Sequence, residues 1–427
     1  MSSVNPGLKK DRSRMAENKS PFRWVVLLLT VLVNLCANGL NLSCMPSLYG
    51  EIARDIPMTH TQWGAVWGVS FVPAVIFTLV AGMYADRVGT RSIVGFAAIL
   101  MGIFGIGRAF AQDFSQLIWL MLLLGISSSF LRPNLPKSLG HWFSSSELGL
   151  ANGFLIAGLC VGAGSALMLS GVYLSPLVGG WRRVMWFYGL ISIVLGVLWL
   201  LFFREGQRFS HNHPETRKKF DFREAITVVI RARDLWFLMA SRFCIVGSIF
   251  AVIGFLPELL VSKGMKPSLA HLSSSLIYYV NIIGVIVVPI ISDKVGLMKV
   301  FIWPFSLLGA LLVILLGVFY GTPSLIICAF LGLIVGFIPL MMTIPMEMDG
   351  IGHRYMGTAL GLSLSIGNLG NFVVPLLGGK IIDLTGKELT AFIFWGILMI
   401  IGALFILPMK ETGSKMKSLP VIGNPVE

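Results

Sequence analysis

Apolar residues along this chain arrive in blocks of about twenty, separated by short polar breaks. At about 1.5 Å per residue, a helix of that length crosses the roughly 30 Å hydrocarbon core of a bilayer. The pattern predicts an all-α membrane protein of twelve transmembrane helices, at residues 24–46, 62–84, 92–111, 115–138, 148–172, 184–203, 235–257, 270–292, 298–319, 323–345, 357–382 and 389–408. Most breaks are short. Residues 204–234, REGQRFSHNHPETRKKFDFREAITVVIRARD, instead form a charged bridge that divides the spans into six plus six. The expected organisation is a tail over 1–22, a six-helix bundle over 23–203, the bridge over 204–234, a second bundle over 235–410 and a tail over 411–427.

Twelve spans place both ends and the bridge on one side. Most of the 33 Lys and Arg fall there, so the positive-inside rule assigns that side to the cytoplasm of a cell membrane. Composition agrees: 56% of the 427 residues are hydrophobic, 12% are charged and mean hydropathy is +0.83. A soluble domain carries about twice that charged fraction. The net charge of +13 invites a nucleic-acid reading, but its placement makes it topological, helped by anionic lipid at the inner leaflet. No nucleic-acid partner is expected. The first 22 residues are polar and basic, and no small-residue cleavage site follows, so the first apolar block reads as a retained helix rather than a signal peptide. Cys36, Cys44, Cys160, Cys244 and Cys328 lie inside apolar blocks without metal-ligand spacing. They read as small core residues, and neither a metal nor a cofactor is expected.

The two halves echo each other. ADRVGT at 85–90 recurs as SDKVGL at 292–297, and GLANG at 149–153 recurs as GTALG at 357–361, at nearly the same offset. Such a repeat predicts two pseudo-symmetric bundles with a substrate between them near the midplane. With the segment GMYADRVGTR at 82–91, the chain resembles the major facilitator superfamily from Arg23 to about Lys410. The resemblance implies a conformational latch built from Gly82, Asp86, Arg87, Gly89 and Arg91, with Asp86 beside the start of span eleven. Its degraded copy retains Asp293, Lys294 and Gly296, while Pro289 replaces the first glycine. A carboxylate at a helix N-terminus gains about 0.3–1 kcal/mol, and Arg87 and Arg91 can hold it in place. An ordinary capped loop is the plainer alternative. Tyr84 and Thr90 depart from the pattern and weaken the latch. The glycine-proline signature of proton-driven drug antiporters is missing from span five, where Gly158 and Gly162 read as a close-packing face.

Arg132 and Arg242 lie within spans four and seven, each about 10–13 Å from the cytoplasmic end of its helix. The resemblance implies that spans one, four, seven and ten line the cavity. A guanidinium in a span costs at least ~2.5 kcal/mol on insertion scales, so it meets a partner or a water-filled path. The nearest acids, Glu258, Glu347 and Asp349, sit at predicted helix ends. Two arginines facing one cavity would hold a carboxylate, phosphate or sulfonate; the bland alternative is snorkelling to the headgroups. Pro133 and Pro136 bend span four in either case.

Asn34, Asn38 and Asn41, four and three apart, share one α-helical face of span one, set for substrate or water contact or for helix–helix hydrogen bonds. Tyr278, Tyr279 and Asn281 in span eight, and Asn368 and Asn371 in span eleven, are further substrate candidates against a packing role. Trp63 and Trp67 fit an interfacial belt or a bundle seam. His141 fits a solvated loop better than a proton relay. No deep carboxylate offers a proton site.

These residues predict a transporter and no enzyme, since no paired acids, metal cluster or nucleophile with a base stands within the spans. The expected substrate is a small organic anion, of carboxylate type, carried by a monomer in the lipid bilayer through alternating access. Symport or antiport with a proton or other ion stays open, as does export of amphipathic or aromatic compounds, which the Met-rich PLMMTIPMEMD near span ten favours.

Overall fold

The computed structural model describes residues 21–205, 222–348 and 352–413. The tails at 1–20 and 414–427, and the bridge at 206–221, lie outside the described residues, with Asp349. So do the side chains of Asp86 and His353.

Among the described residues eleven helices are long and apolar enough to cross a membrane, and with the two-piece α2 they make twelve segments. They are α1 (Phe22–Asp55), α2 in two pieces (His60–Val69 and Ala74–Val88), α3 (Thr90–Phe110), α4 (Phe114–Gly140), α5 (Glu147–Val178) and α6 (Trp181–Phe202). The second half repeats them as α7 (Arg233–Ser262), α8 (Pro267–Val295), α9 (Lys299–Val318), α10 (Thr322–Glu347), α11 (Gly352–Thr385) and α12 (Glu388–Ile406). Outward-facing side chains such as Leu28, Trp119, Leu201, Ile326 and Phe330 are exposed and apolar, as lipid contact requires. The protein is a multi-pass membrane protein. With an even number of crossings, Phe22 and Ile406 share one face, the terminal face; the opposite face is the far face.

Local chemistry sets the ends of these helices. Thr59 and Gln62 form a reciprocal capping box at the start of α2. Asp113 caps α4 by accepting the Gln116 N–H at 2.8 Å. α1 runs on to Asp55, beyond the sequence-predicted end at 46, because the polar run after Cys44 is amphipathic and buries Met45, Leu48, Tyr49 and Ile52. α2 breaks at residues 70–73, where Pro73 supplies no N–H. The break is pinned against α4: a Cβ added to Gly125 would stand 2.3 Å from the Ser70 carbonyl oxygen. α4, by contrast, stays helical through Pro133 and Pro136.

Small residues bring the helices of each bundle together. Gly39 of α1 and Gly162 of α5 are in backbone contact, and Gly158 meets Val31, the close-packing face that the spacing predicted. Gly284 of α8 and Gly336 of α10 do the same in the second half. All five cysteines are buried and free.

The repeat also extends to details the sequence did not advertise. Gly89 closes α2 at φ +90°, which an L side chain rarely adopts, and Glu205 then caps α3. The Glu205 carboxylate accepts the Arg91 N–H at 2.6 Å and the Thr90 hydroxyl at 3.2 Å. In the second half Gly296 closes α8 at φ +75°, and Glu411 accepts the N–H groups of Met298 and Lys299, each at 2.8 Å. An acid on the first N–H groups of the third helix in each half is favoured by the helix dipole.

Candidate functional site

Arg132 points inward. Its guanidinium lies 4.5 Å from the centre of the Phe71 ring, and it faces the Tyr278 hydroxyl of α8, across the interface between the bundles. The break in α2 is what presents Phe71 at this depth. Tyr278 in turn pairs with Ser43 of α1. Among the described residues no carboxylate pairs with Arg132, and its side chain is half-buried rather than sealed. This is a cation in a low-dielectric interior, held by a ring face and a neutral hydroxyl. Cation–π contact contributes about 2 kcal/mol in a desolvated setting, and leaves the in-plane N–H donors free for an anion.

An aromatic series continues from Phe71. Phe250 of α7 meets it edge-on at 4.6 Å and stacks on Trp67 at 4.4 Å with an interplanar angle of 3°. The indole N–H of Trp67 donates to the Phe250 carbonyl at 3.0 Å, and that of Trp63 to the Gly254 carbonyl at 3.2 Å. Both tryptophans, left open between a headgroup belt and a seam, thus stitch α2 to α7.

Arg242 differs from Arg132. It is 5% exposed, and its aliphatic stem and Nε lie against Gly367 of α11, where a Cβ would clash at 2.7 Å. Its Nε and Nη1 have no hydrogen-bond partner among the described residues. Asn368, the next residue, is half-buried. Tyr279 reaches Ser165 of α5 at 3.0 Å, and Asn281 donates to the Gly332 carbonyl of α10 at 3.1 Å. Tyr279 therefore lies on the α5–α8 seam, and Asn281 holds α8 to α10.

The asparagine stripe fans out. Residues 34–41 are wound as a π-helix; Asn38 still donates to the Asn34 side-chain oxygen at 3.0 Å, so these two keep a shared face while their other contacts diverge. Asn34 donates to the Leu155 carbonyl at 2.8 Å, Asn38 accepts from Ser128 at 2.9 Å, and Asn41 donates to the Met101 carbonyl at 2.9 Å. Three amides thus reach three different helices.

One buried cation escaped the sequence reading. Arg108 is fully buried at the end of α3, and its guanidinium donates to the backbone and side-chain oxygens of Asn41 and contacts Met121 sulfur at 3.6 Å. It lies inside the predicted span at 92–111, and that position was the available signal.

The bundles meet closely on the far face. Asp383, at the end of α11, accepts the His60 N–H at 2.9 Å, the Thr61 N–H at 2.8 Å and the Thr61 hydroxyl at 2.6 Å, with His60 Nδ1 also at 2.9 Å. Gly64, Gly68 and Gly379 pack directly on the opposing backbone between α2 and α11. Toward the terminal face, Ser365 donates to the Val75 carbonyl at 3.1 Å. Beyond it, added Cβ atoms on Gly82 and Gly361 would meet nothing within 4 Å, and Met83, Tyr84 and Arg87 are exposed. Arg91 is tied to the Leu200 carbonyl of α6, and Asp293 and Lys294 are exposed. His141 sits 3.6 Å from Glu205 Oε2, a partly buried ion-pair geometry in place of a solvated loop.

A family model described as Major Facilitator Superfamily matches residues 27–374. The chain is 24% identical over 435 residues to the gallate transporter of Pseudomonas putida, with 95% of each covered. It is 26% identical over 370 residues to the 3-(3-hydroxy-phenyl)propionate transporter of Escherichia coli K12, covering 83% of this chain and 88% of that one. Over 391 residues it is 23% identical to the probable sulfoacetate transporter of Cupriavidus necator, covering 85% and 89%. Its fold matches a bacterial homologue of the human lysosomal transporter Spinster in an inward-facing, occupied conformation, at TM-score 0.74 and 16% identity, covering 91% and 97%.

Proposed function

Because the chain belongs to the major facilitator superfamily, we propose that it carries a small organic anion of carboxylate type across a cell membrane by alternating access. The carrying observation is Arg132: half-buried, set between the bundles beside Tyr278, and without a carboxylate partner among the described residues. Keeping such a cation without a counter-ion costs free energy, and an anionic substrate supplies the missing charge during each cycle. The three relatives named above support this reading, since each is named for an acid.

Arg242 serves the same site from the second bundle, as a buried positive field behind Gly367. Tyr278 orients the bound anion, and Asn368 borders it. The asparagine stripe, Tyr279 and Asn281 act in packing, since their polar groups are engaged with neighbouring helices. The bundles are taken as residues 23–203 and 235–410, with the terminal face in the cytoplasm. Asp383 on the first turn of α2 is then the outer gate, closed here. The loop at 82–91 forms the inner latch in the opposite state. In the Met-rich run Thr343 bonds to Met298 and Met341 is buried, whereas Met342 and Met346 are exposed, so packing accounts for only part of it.

Purified protein is to be screened by thermal shift against carboxylates, sulfonates, phosphate esters and hydrophobic cations. Stabilisation by carboxylates in the native chain, and its loss in Arg132→Gln, is the expected result. Stabilisation by cations alone, unaffected by the substitution, sinks the anion reading.

A further inference from the structure

We propose that the anion carries an aromatic ring, held by Phe71 and Phe250 while its carboxylate meets Arg132. This inference rests on the anion reading above and adds the chemistry of the rest of the molecule.

The wall beside Arg132 is carbocyclic. Phe71 lies under the guanidinium, Phe250 stands edge-on to Phe71, and Trp67 backs Phe250 face to face. The roles divide by burial. Trp67 is 1% exposed and belongs to the seam, whereas Phe71, Phe250, Tyr278 and Arg132 are each only half-buried. Phe71 and Phe250 touch across the bundle interface, and Arg132 faces Tyr278 across it. On this proposal their remaining exposed surface borders the space between the bundles.

Such a wall discriminates by chemistry. An arene can offer its face or edge to Phe71 and Phe250 in the edge-on geometry that these two rings already adopt with each other. A saturated ring of equal size buries similar area but lacks the quadrupole that makes edge-to-face contact favourable. A polyhydroxylated acid fares worse. Each hydroxyl moved from water to a phenyl wall needs a partner, and the partners named at this wall are few: the guanidinium, the Tyr278 hydroxyl and the Ser43 hydroxyl paired with it. The polarity of the site is thus concentrated at one end, with a cation for the carboxylate and a single phenol nearby. The other end is rings.

The test uses matched acids on the full-length protein: benzoate and 3-phenylpropionate, their cyclohexyl counterparts, and glucarate. Affinity is read from ligand-dependent thermal shift and from competition in proteoliposome uptake. The native chain should favour each aryl acid over its cyclohexyl partner by about three- to tenfold, and should reject glucarate. Phe250→Leu should bring the aryl/cyclohexyl ratio close to one while retaining carboxylate binding, and Phe71→Tyr, which keeps the ring, should preserve the ratio. Equal native affinities for aryl and cyclohexyl acids, or tighter binding of glucarate, overturn the aromatic assignment and leave the anion reading standing. A selectivity that survives in Phe250→Leu and Phe71→Leu overturns the role of these two rings. Failure of every acid to bind, or binding unchanged in Arg132→Gln, overturns the anion reading itself.

Discussion

Thr61 donates twice to Asp383, through its backbone N–H at 2.8 Å and its hydroxyl at 2.6 Å. The two residues belong to opposite bundles, at the start of α2 and the end of α11. Every bond in this cap must break for the far face to open. Charge-assisted hydrogen bonds contribute about 1.5–3 kcal/mol, and each 1.4 kcal/mol is tenfold in an equilibrium. Asp383→Asn should therefore raise the far-open population by about tenfold. Spin labels at the exposed Leu177 and Leu384 would report it as a new, longer distance component. An unchanged distance distribution removes Asp383 from the gate.

Arg108 and Arg132 of the first bundle should respond in opposite ways. Arg108 is fully buried and bonded to Asn41, so Arg108→Gln leaves buried acceptors unpaired and should cost roughly 3 kcal/mol of stability. Substrate affinity in the protein that still folds should hold. Arg132→Gln should leave the melting temperature near that of the native chain and weaken carboxylate binding by about tenfold or more. Melting curves and ligand titrations of both variants separate the roles.

Glu205 gives a pH signature. Burial works to raise its carboxyl, but the His141 imidazole 3.6 Å away and hydrogen bonds from the Arg91 N–H and Thr90 outweigh burial and hold it below its ordinary value of 4.5. A carboxyl depressed in the folded state stabilises fully above its unfolded value, and the contribution fades as pH falls through the folded one. Glu205→Gln should accordingly melt earlier than the native chain at pH 7, and the difference should shrink below about pH 4.5. A gap independent of pH would assign Glu205 a packing role only.

Close packing can be broken at one glycine. A Cβ at Gly162 would lie 2.2 Å from the Leu35 carbonyl oxygen, inside backbone that cannot retreat without moving α1. Gly162→Val should destabilise by about 1–3 kcal/mol or more, whereas Gly153→Ala, with nothing within 4 Å, should be tolerated. Thermal melts in detergent compare the two.

Block length was enough to place the eleven helices that are long and apolar enough to cross a membrane, because that property depends on apolar length alone. Where the sequence misled, a tertiary contact had intervened. The break in α2 needs the contact between Ser70 and Gly125, which no local signal beyond Pro73 announces. The asparagine stripe was drawn on an α-helical wheel, and the π-helical winding of residues 34–41 sends its amides to three helices. Arg108 lies near the end of the predicted span at 92–111, and nothing local announces that the carbonyl and amide of Asn41 capture it. The depth of Arg132 was legible, but its ring partner was not. Phe71 reaches it only through the broken helix, and Tyr278 comes from the other bundle.

The most direct measurement is calorimetric titration of the purified chain with benzoate and 3-phenylpropionate, repeated with Arg132→Gln at matched stability. Saturable binding to the native chain, weakened by about tenfold or more in the variant, is the result expected of a guanidinium that holds the carboxylate. Equal affinity in the two proteins would contradict it, and would leave Arg132 as a structural cation stacked on Phe71.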